Sequence, residues 1–167
     1  GTILLDETFF DQSVLNDWKA IKGNWKIQKE QMVEVGGPVA SGDRRIVYTK
    51  GYDWKNYEVW VDVYLPEEAS ESAGILFSYS SDGSRYYGFR FVGNNLYVFN
   101  ETGKIYVEPI TGYPKGAVAK MKAIVEDDTI RIYLNSRKLW EQEEVETTPG
   151  TIGFYLNGSI TTNYFDN

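Results

Sequence analysis

From Asn56 to Leu65 the chain changes character at every second position. Tyr57, Val59, Val61, Val63 and Leu65 share one side, and Glu58, Trp60, Asp62 and Tyr64 share the other. Side chains alternate along a strand with a period of two, so this segment reads as a strand with one face in a core. The opposite face is aromatic and acidic, and a merely solvated face has no need of aromatics. Related patterns predict strands at Ile3-Leu4-Leu5, Asn24–Ile27, Met32–Val35, Arg45–Tyr48, Gly74–Tyr79, Tyr86–Val92 and Leu96–Phe99. They continue at Lys104–Val107, Ala119–Glu126, Thr129–Leu134, Lys138–Glu141 and Thr151–Leu156, and a short helical turn is expected between Phe9 and Trp18. Lys29-Glu30-Gln31, Asp127-Asp128 and Asn135-Ser136 sit where tight hairpins belong. Many short strands with no sustained helical period predict an all-β antiparallel sandwich or barrel, with residues 1–167 as one domain.

Composition narrows the function classes. A chain of 167 residues is long enough to bury a core without disulfides or metals. The absence of Cys rules out thiolate sites, and the absence of His removes the commonest metal ligand and general base. A net charge of -7 argues against nucleic acid as a partner, which needs a basic face. No apolar run is long enough to cross a bilayer as a helix, so membrane insertion is not expected. The chain opens at Gly1 and closes on Phe165-Asp166-Asn167, and it reads as a piece tethered to other domains of a larger protein.

Several segments carry a family likeness. They are Trp18 with Gly23-Asn24-Trp25-Lys26-Ile27, the strand Asn56 to Val63, and Ala73-Gly74-Ile75-Leu76-Phe77 with Tyr86-Tyr87-Gly88-Phe89-Arg90-Phe91. Thr129 to Asn135, Gly150-Thr151-Ile152-Gly153-Phe154 and the closing Phe165-Asp166-Asn167 complete the set. In this order they resemble the concanavalin A-like lectin/glucanase superfamily, in its laminin-G-like branch. The resemblance implies an antiparallel jelly-roll β-sandwich of two sheets, one of them curved, with ligands on the concave face or at the loops beside it. It is poorly specific to function, because lectins, binding modules, glycosidases and inert spacers share this fold.

The residues suggest where a sugar would sit. Trp60 and Tyr64 lie on one strand face, about 13 Å apart at strand rise. Tyr86, Gly88 and Arg90 form the matching face of a later strand, with Ser78 between if the strands make a meander, and Asn95, Tyr97 and Phe99 extend it. Sugars stack apolar C–H faces on aromatic rings and offer hydroxyls to planar polar groups. Trp60, Tyr64, Ser78, Tyr86, Arg90 and Tyr97 are therefore the candidate ligand residues, on a face either open to sugar or covered by the N-terminal segment. Gly88 would leave room for a ligand or another backbone to approach. Trp18, Trp25 and Trp54 read as packing residues, while the pattern leaves Trp140 unplaced, with an exposed position one option.

Catalysis is not expected. Glycosidases hold two carboxyl groups roughly 5–10 Å apart. Glu58 and Asp62 would stand about 13 Å apart on their strand. The Glu-x-Asp-x-x-Glu pattern of family-16 glucanases is missing. The two ends of the chain are expected to lie side by side, with Asp6 or Asp166 offering oxygen to a structural Ca²⁺. The sum is a non-catalytic carbohydrate-binding module, extracellular or at the cell surface, that holds a larger protein to a polysaccharide or oligosaccharide. The alternative is a structural or adhesive surface domain that makes protein contacts.

Overall fold

The computed structural model describes residues 2–36, 42–65, 71–158 and 164–167. A 3-10 helix, Gln12–Asp17, precedes β1 (Trp18–Lys22), β2 (Trp25–Gln28), β3 (Gln31–Glu34), β4 (Asp43–Tyr48) and β5 (Tyr57–Leu65). Then follow β6 (Glu71–Tyr79), β7 (Tyr87–Val92), β8 (Asn95–Asn100), β9 (Gly103–Pro109) and β10 (Ala117–Glu126). The last strands are β11 (Thr129–Leu134), β12 (Arg137–Gln142), β13 (Thr151–Asn157) and β14 (Phe165–Asp166). They form two antiparallel sheets of seven strands each. The first has the order β1-β4-β13-β6-β7-β8-β9, the second β12-β11-β10-β5-β14-β3-β2. This is the expected jelly-roll sandwich.

Alternation does most of the work. On β5 the odd positions Tyr57, Val61, Val63 and Leu65 are buried, while Glu58 and Trp60 are exposed. The inner faces meet in a core that includes Ile46, Ile75, Phe77, Phe89, Phe91, Leu96, Met121, Ile132 and Phe165. An aromatic column crosses it: Trp18 stacks on Phe154 at 5.1 Å, and Phe154 on Phe165 at 4.3 Å. Trp25 is buried beside Phe165, and Trp54 is half-buried against Tyr48 and Tyr57. Trp140, which the pattern leaves unplaced, is half-buried against Tyr106. The hairpins form where expected. Lys29-Glu30, Asp127-Asp128 and Asn135-Ser136 all have positive φ at both positions, the geometry that matches the twist of the flanking strands.

One buried ion pair ties the sheets together. Glu34 of β3 meets Arg44 of β4 at 3.3 Å, with both side chains essentially inaccessible. Arg44 also donates to the Gly158 carbonyl at 2.6 Å, and Glu34 accepts from the Gly36 backbone N–H.

Two expectations are corrected by the topology and one is met. Ile3-Leu4-Leu5 is not a strand. The ends do lie side by side, but through Asn167, whose side-chain amide donates to Asp6 at 2.8 Å and to the Glu7 carbonyl at 2.7 Å. The strand partners of β14 are β3 and β5. Finally, β6 to β9 form a meander, but β5 does not begin it: β5 belongs to the second sheet, between β10 and β14.

Candidate functional site

That sheet assignment divides the six candidate ligand residues. Trp60 and Tyr64 point outward from the second sheet. Tyr86, Arg90 and Tyr97 belong to the outer face of the first sheet, so the sandwich lies between the two groups. Trp60 is 43% exposed, and its ring is covered on one side by the Lys120 ammonium at 4.2 Å. Tyr64 stacks flat on Tyr164 at 5.2 Å. Ser78 belongs to neither face. It lies buried at positive φ where the β6–β13 register shifts, and its N–H donates to the buried Tyr57 hydroxyl at 2.7 Å. A sugar cannot reach it there. Burial pushes the Tyr57 hydroxyl up to about 12.

The outer face of the first sheet is the better-built site, and strand register explains it. Paired residues share a face. Arg45 of β4 pairs with Tyr155 of β13, Tyr155 with Gly74 of β6, Gly74 with Arg90 of β7, and Arg90 with Tyr97 of β8. This is one lateral row across five strands. The next row runs Val47, Gly153, Leu76, Gly88 and Phe99. Val47, Leu76, Tyr79 and Phe99 make a second buried cluster outside the main core, roofed by Tyr52, Tyr86, Tyr97 and Tyr155. Gly88 does not make room for a ligand. An added Cβ would lie 2.5 Å from Phe99 Cζ, so the Phe99 ring already fills that space.

Two arginines stand in this aromatic floor. The Arg90 guanidinium lies 4.7 Å from the Tyr97 ring centre and 5.7 Å from that of Tyr155, and the residue is only 9% exposed. Arg45 lies 5.3 Å from the Tyr86 ring, which stacks on Tyr79. Asp43 bonds Arg45 at 2.8 Å and Lys22 at 3.4 Å. Burial works against the Arg45 charge, but Tyr86, Asp43 and Tyr79 together hold its pKa above the ordinary value. The phenols behave oppositely. Burial raises the pKa of Tyr155 against the pull of Arg90 and of its bond from Asn157, and raises that of Tyr79 against Arg45. Both therefore stay protonated at neutral pH and can donate. At about 4.8 Å per strand, the Arg45 and Arg90 backbones stand about 14 Å apart. Sequence reading found Tyr86, Arg90 and Tyr97 but missed Arg45, Asp43 and Tyr155. Pattern alone could not place β4 and β13 beside β6.

The acidic residues at the termini are both engaged by Asn167. Asp6 is exposed and already accepts an amide N–H from Asn167, while Asp166 accepts the Asn167 backbone N–H. Among the described residues no group of three or more His, Cys, Asp or Glu side chains stands together. Asp6 and Asp166 also line a groove of about 970 Å³ with Leu5, Trp18, Trp54 and Trp60.

The chain belongs to the family described as the 3-keto-alpha-glucoside-1,2-lyase-like domain, whose model matches residues 6–167. No curated protein matches it in sequence. Among solved structures it is similar to the carbohydrate-binding module CBM66 from Bacillus subtilis, at 18% identity and a TM-score of 0.74, over 90% of this chain and 92% of that one. It is similar to a Bacillus licheniformis β-glucanase at 9% identity and 0.65, over 89% of each chain. It is also similar to the catalytic domain of an endo-1,3-β-glucanase from Thermotoga petrophila RKU-1 at 11% identity and 0.67, over 99% and 95%. At these identities the structures speak to fold alone. The expectation of a non-catalytic module is overturned by the family, which takes its description from a lyase, and the glucanases show that the fold itself hosts catalysis. Missing His, Cys and spaced carboxylates exclude particular mechanisms, not catalysis as such.

Proposed function

We propose that the outer face of the first sheet binds a 3-keto-α-glucoside and promotes its 1,2-elimination. The arrangement of Asp43, Arg45 and Tyr155 at one end of the floor carries this reading. A carboxylate and a guanidinium 2.8 Å apart can address adjacent carbons of one sugar ring. Asp43 takes the proton from C2, which the neighbouring C3 ketone acidifies. Arg45 stabilises the oxyanion that develops on the ketone oxygen. The enolate then expels the C1 oxygen, and the Tyr155 hydroxyl, kept protonated by burial, donates to it. One C–H and one C–O bond break, a C1–C2 double bond forms, and the products are an enone and a free alcohol, with no water consumed. Arg90 and Tyr97 hold the leaving residue by stacking and hydrogen bonding.

The test is incubation of the purified protein with methyl 3-keto-α-glucoside, following enone absorbance and methanol release. Equal amounts of both products, and a fall of about 10²-fold or more for Asp43→Asn, are the expected results. Sugar binding with no enone from the wild-type protein would reject the lyase reading.

A further inference from the structure

Arg90 differs from the other cation of the floor in one respect. Arg45 has Asp43, but among the described residues no carboxylate reaches Arg90. Its guanidinium is nine-tenths buried, its Nη1 has no hydrogen-bond partner, and its charge rests against the faces of Tyr97 and Tyr155. A buried cation without a counter-charge is costly, and ring faces compensate only part of that cost. The acidic groups bordering the floor are already engaged, Glu101 with Arg85 at 3.8 Å and Asp82 with the Ser80 and Ser84 hydroxyls. Lys104 pairs across β8–β9 with Phe99, beside Tyr97, while Asp43 is already shared by Arg45 and Lys22. Gly74, between Arg90 and Tyr155, has no side chain to screen the guanidinium. An added Cβ would fall 2.2 Å from the Phe89 carbonyl oxygen, so the position admits only glycine.

We infer that the residue held over Arg90 and Tyr97 is an anionic sugar, bearing a carboxylate or a sulfate ester that completes the Arg90 pair. This rests on the proposal that the face binds a glycoside, and it makes the substrate an acidic disaccharide rather than a neutral one. Arginine suits the task because its planar fork meets a carboxylate or sulfate with two parallel bonds while its face stays on the tyrosines. Charge-assisted bonds formed in this low-dielectric floor outweigh the hydroxyl contacts of a neutral sugar.

Calorimetric titration with one gluco-oligosaccharide in three forms tests this: neutral, oxidised to the uronate at C6, and sulfated at O6. At least one anionic form should bind about tenfold or more tightly than the neutral one, and the advantage should shrink as salt is raised. The form that gains identifies the anion, and gain by both assigns the charge alone. In Arg90→Gln the ratio of anionic to neutral affinity should fall to about one, and Arg90→Lys should keep part of it. Equal binding of all three forms by the wild-type protein, which needs no variant to fold, overturns the inference while leaving the glycoside site standing. So does an undiminished ratio in Arg90→Gln. Binding of none of the three overturns both readings together.

Discussion

Removing one side of the Glu34–Arg44 pair should damage the fold more than any surface change. The two side chains are 0% and 1% exposed and 3.3 Å apart, and they bridge β3 of the second sheet to β4 of the first. Deleting one partner leaves the other charge buried and unpaired, at a cost of about 3–5 kcal/mol. For a chain of this size each kcal/mol lowers the melting temperature by about 2–4 °C, so Glu34→Leu should melt about 6–20 °C below the wild type. Arg44→Met should behave similarly. The double variant removes both charges, but it also leaves the Gly36 N–H and the Gly158 carbonyl without these partners, at about 1–3 kcal/mol each. It should therefore be less stable than the wild type, yet by clearly less than the sum of the singles. Denaturant melts of all four proteins give the coupling energy, expected to reach about 2 kcal/mol. Strictly additive effects, or single variants within about 1 kcal/mol of the wild type, would refute the reasoning. Arg45 follows Arg44 on β4, so the same variants should also weaken ligand binding.

Other outcomes follow from packing and titration. Tyr57 has a folded pKa of about 12 against about 10 unfolded, so its contribution to stability is complete below pH 10 and is lost as pH rises towards 12. Tyr57→Phe should flatten that alkaline decline in melts between pH 9 and 12, and an identical decline in both proteins would count against it. Gly74→Ala should cost more than Gly88→Ala, because its Cβ would meet backbone oxygen at 2.2 Å rather than the end of the Phe99 ring at 2.5 Å. Chemical denaturation should give about 1–3 kcal/mol for Gly88→Ala, and the reverse order would contradict the packing described here. Trp60→Ala should leave turnover of a 3-keto-α-glucoside within about twofold of the wild type, and a large loss would return the site to the second sheet.

Much of the fold was legible because alternation is local. The pattern of β5, the hairpin turns at Asp127-Asp128 and Asn135-Ser136, and the buried Trp18 and Trp25 each follow from a few neighbouring residues. Neighbourhood was not legible. Alternation says which side chains share a face of one strand, but not which strand lies beside it, and so Trp60 and Arg90 read as one surface when they stand on opposite sides of the sandwich. Leu4 and Leu5 carry a strand-like composition, yet no strand partner takes them up. The role of Gly88 was misread for the same reason. The ring that occupies its space comes from Phe99 on the adjacent strand. Arg45 and Asp43 carry no motif, and only the register of β4 with β13 brings them to the floor.

The claim that the outer face of the first sheet is the sugar site is tested most directly by mapping where a ligand touches the protein. Backbone and side-chain NMR spectra of Asp43→Asn, titrated with a 3-keto-α-glucoside that this variant should hold without turning over, report on both outer faces at once. The account predicts shifts that cluster at Arg45, Gly74, Arg90, Tyr97 and Tyr155, with the Trp60 indole unmoved. Shifts centred on Trp60, Tyr64 and Lys120, with the arginine floor silent, would contradict it.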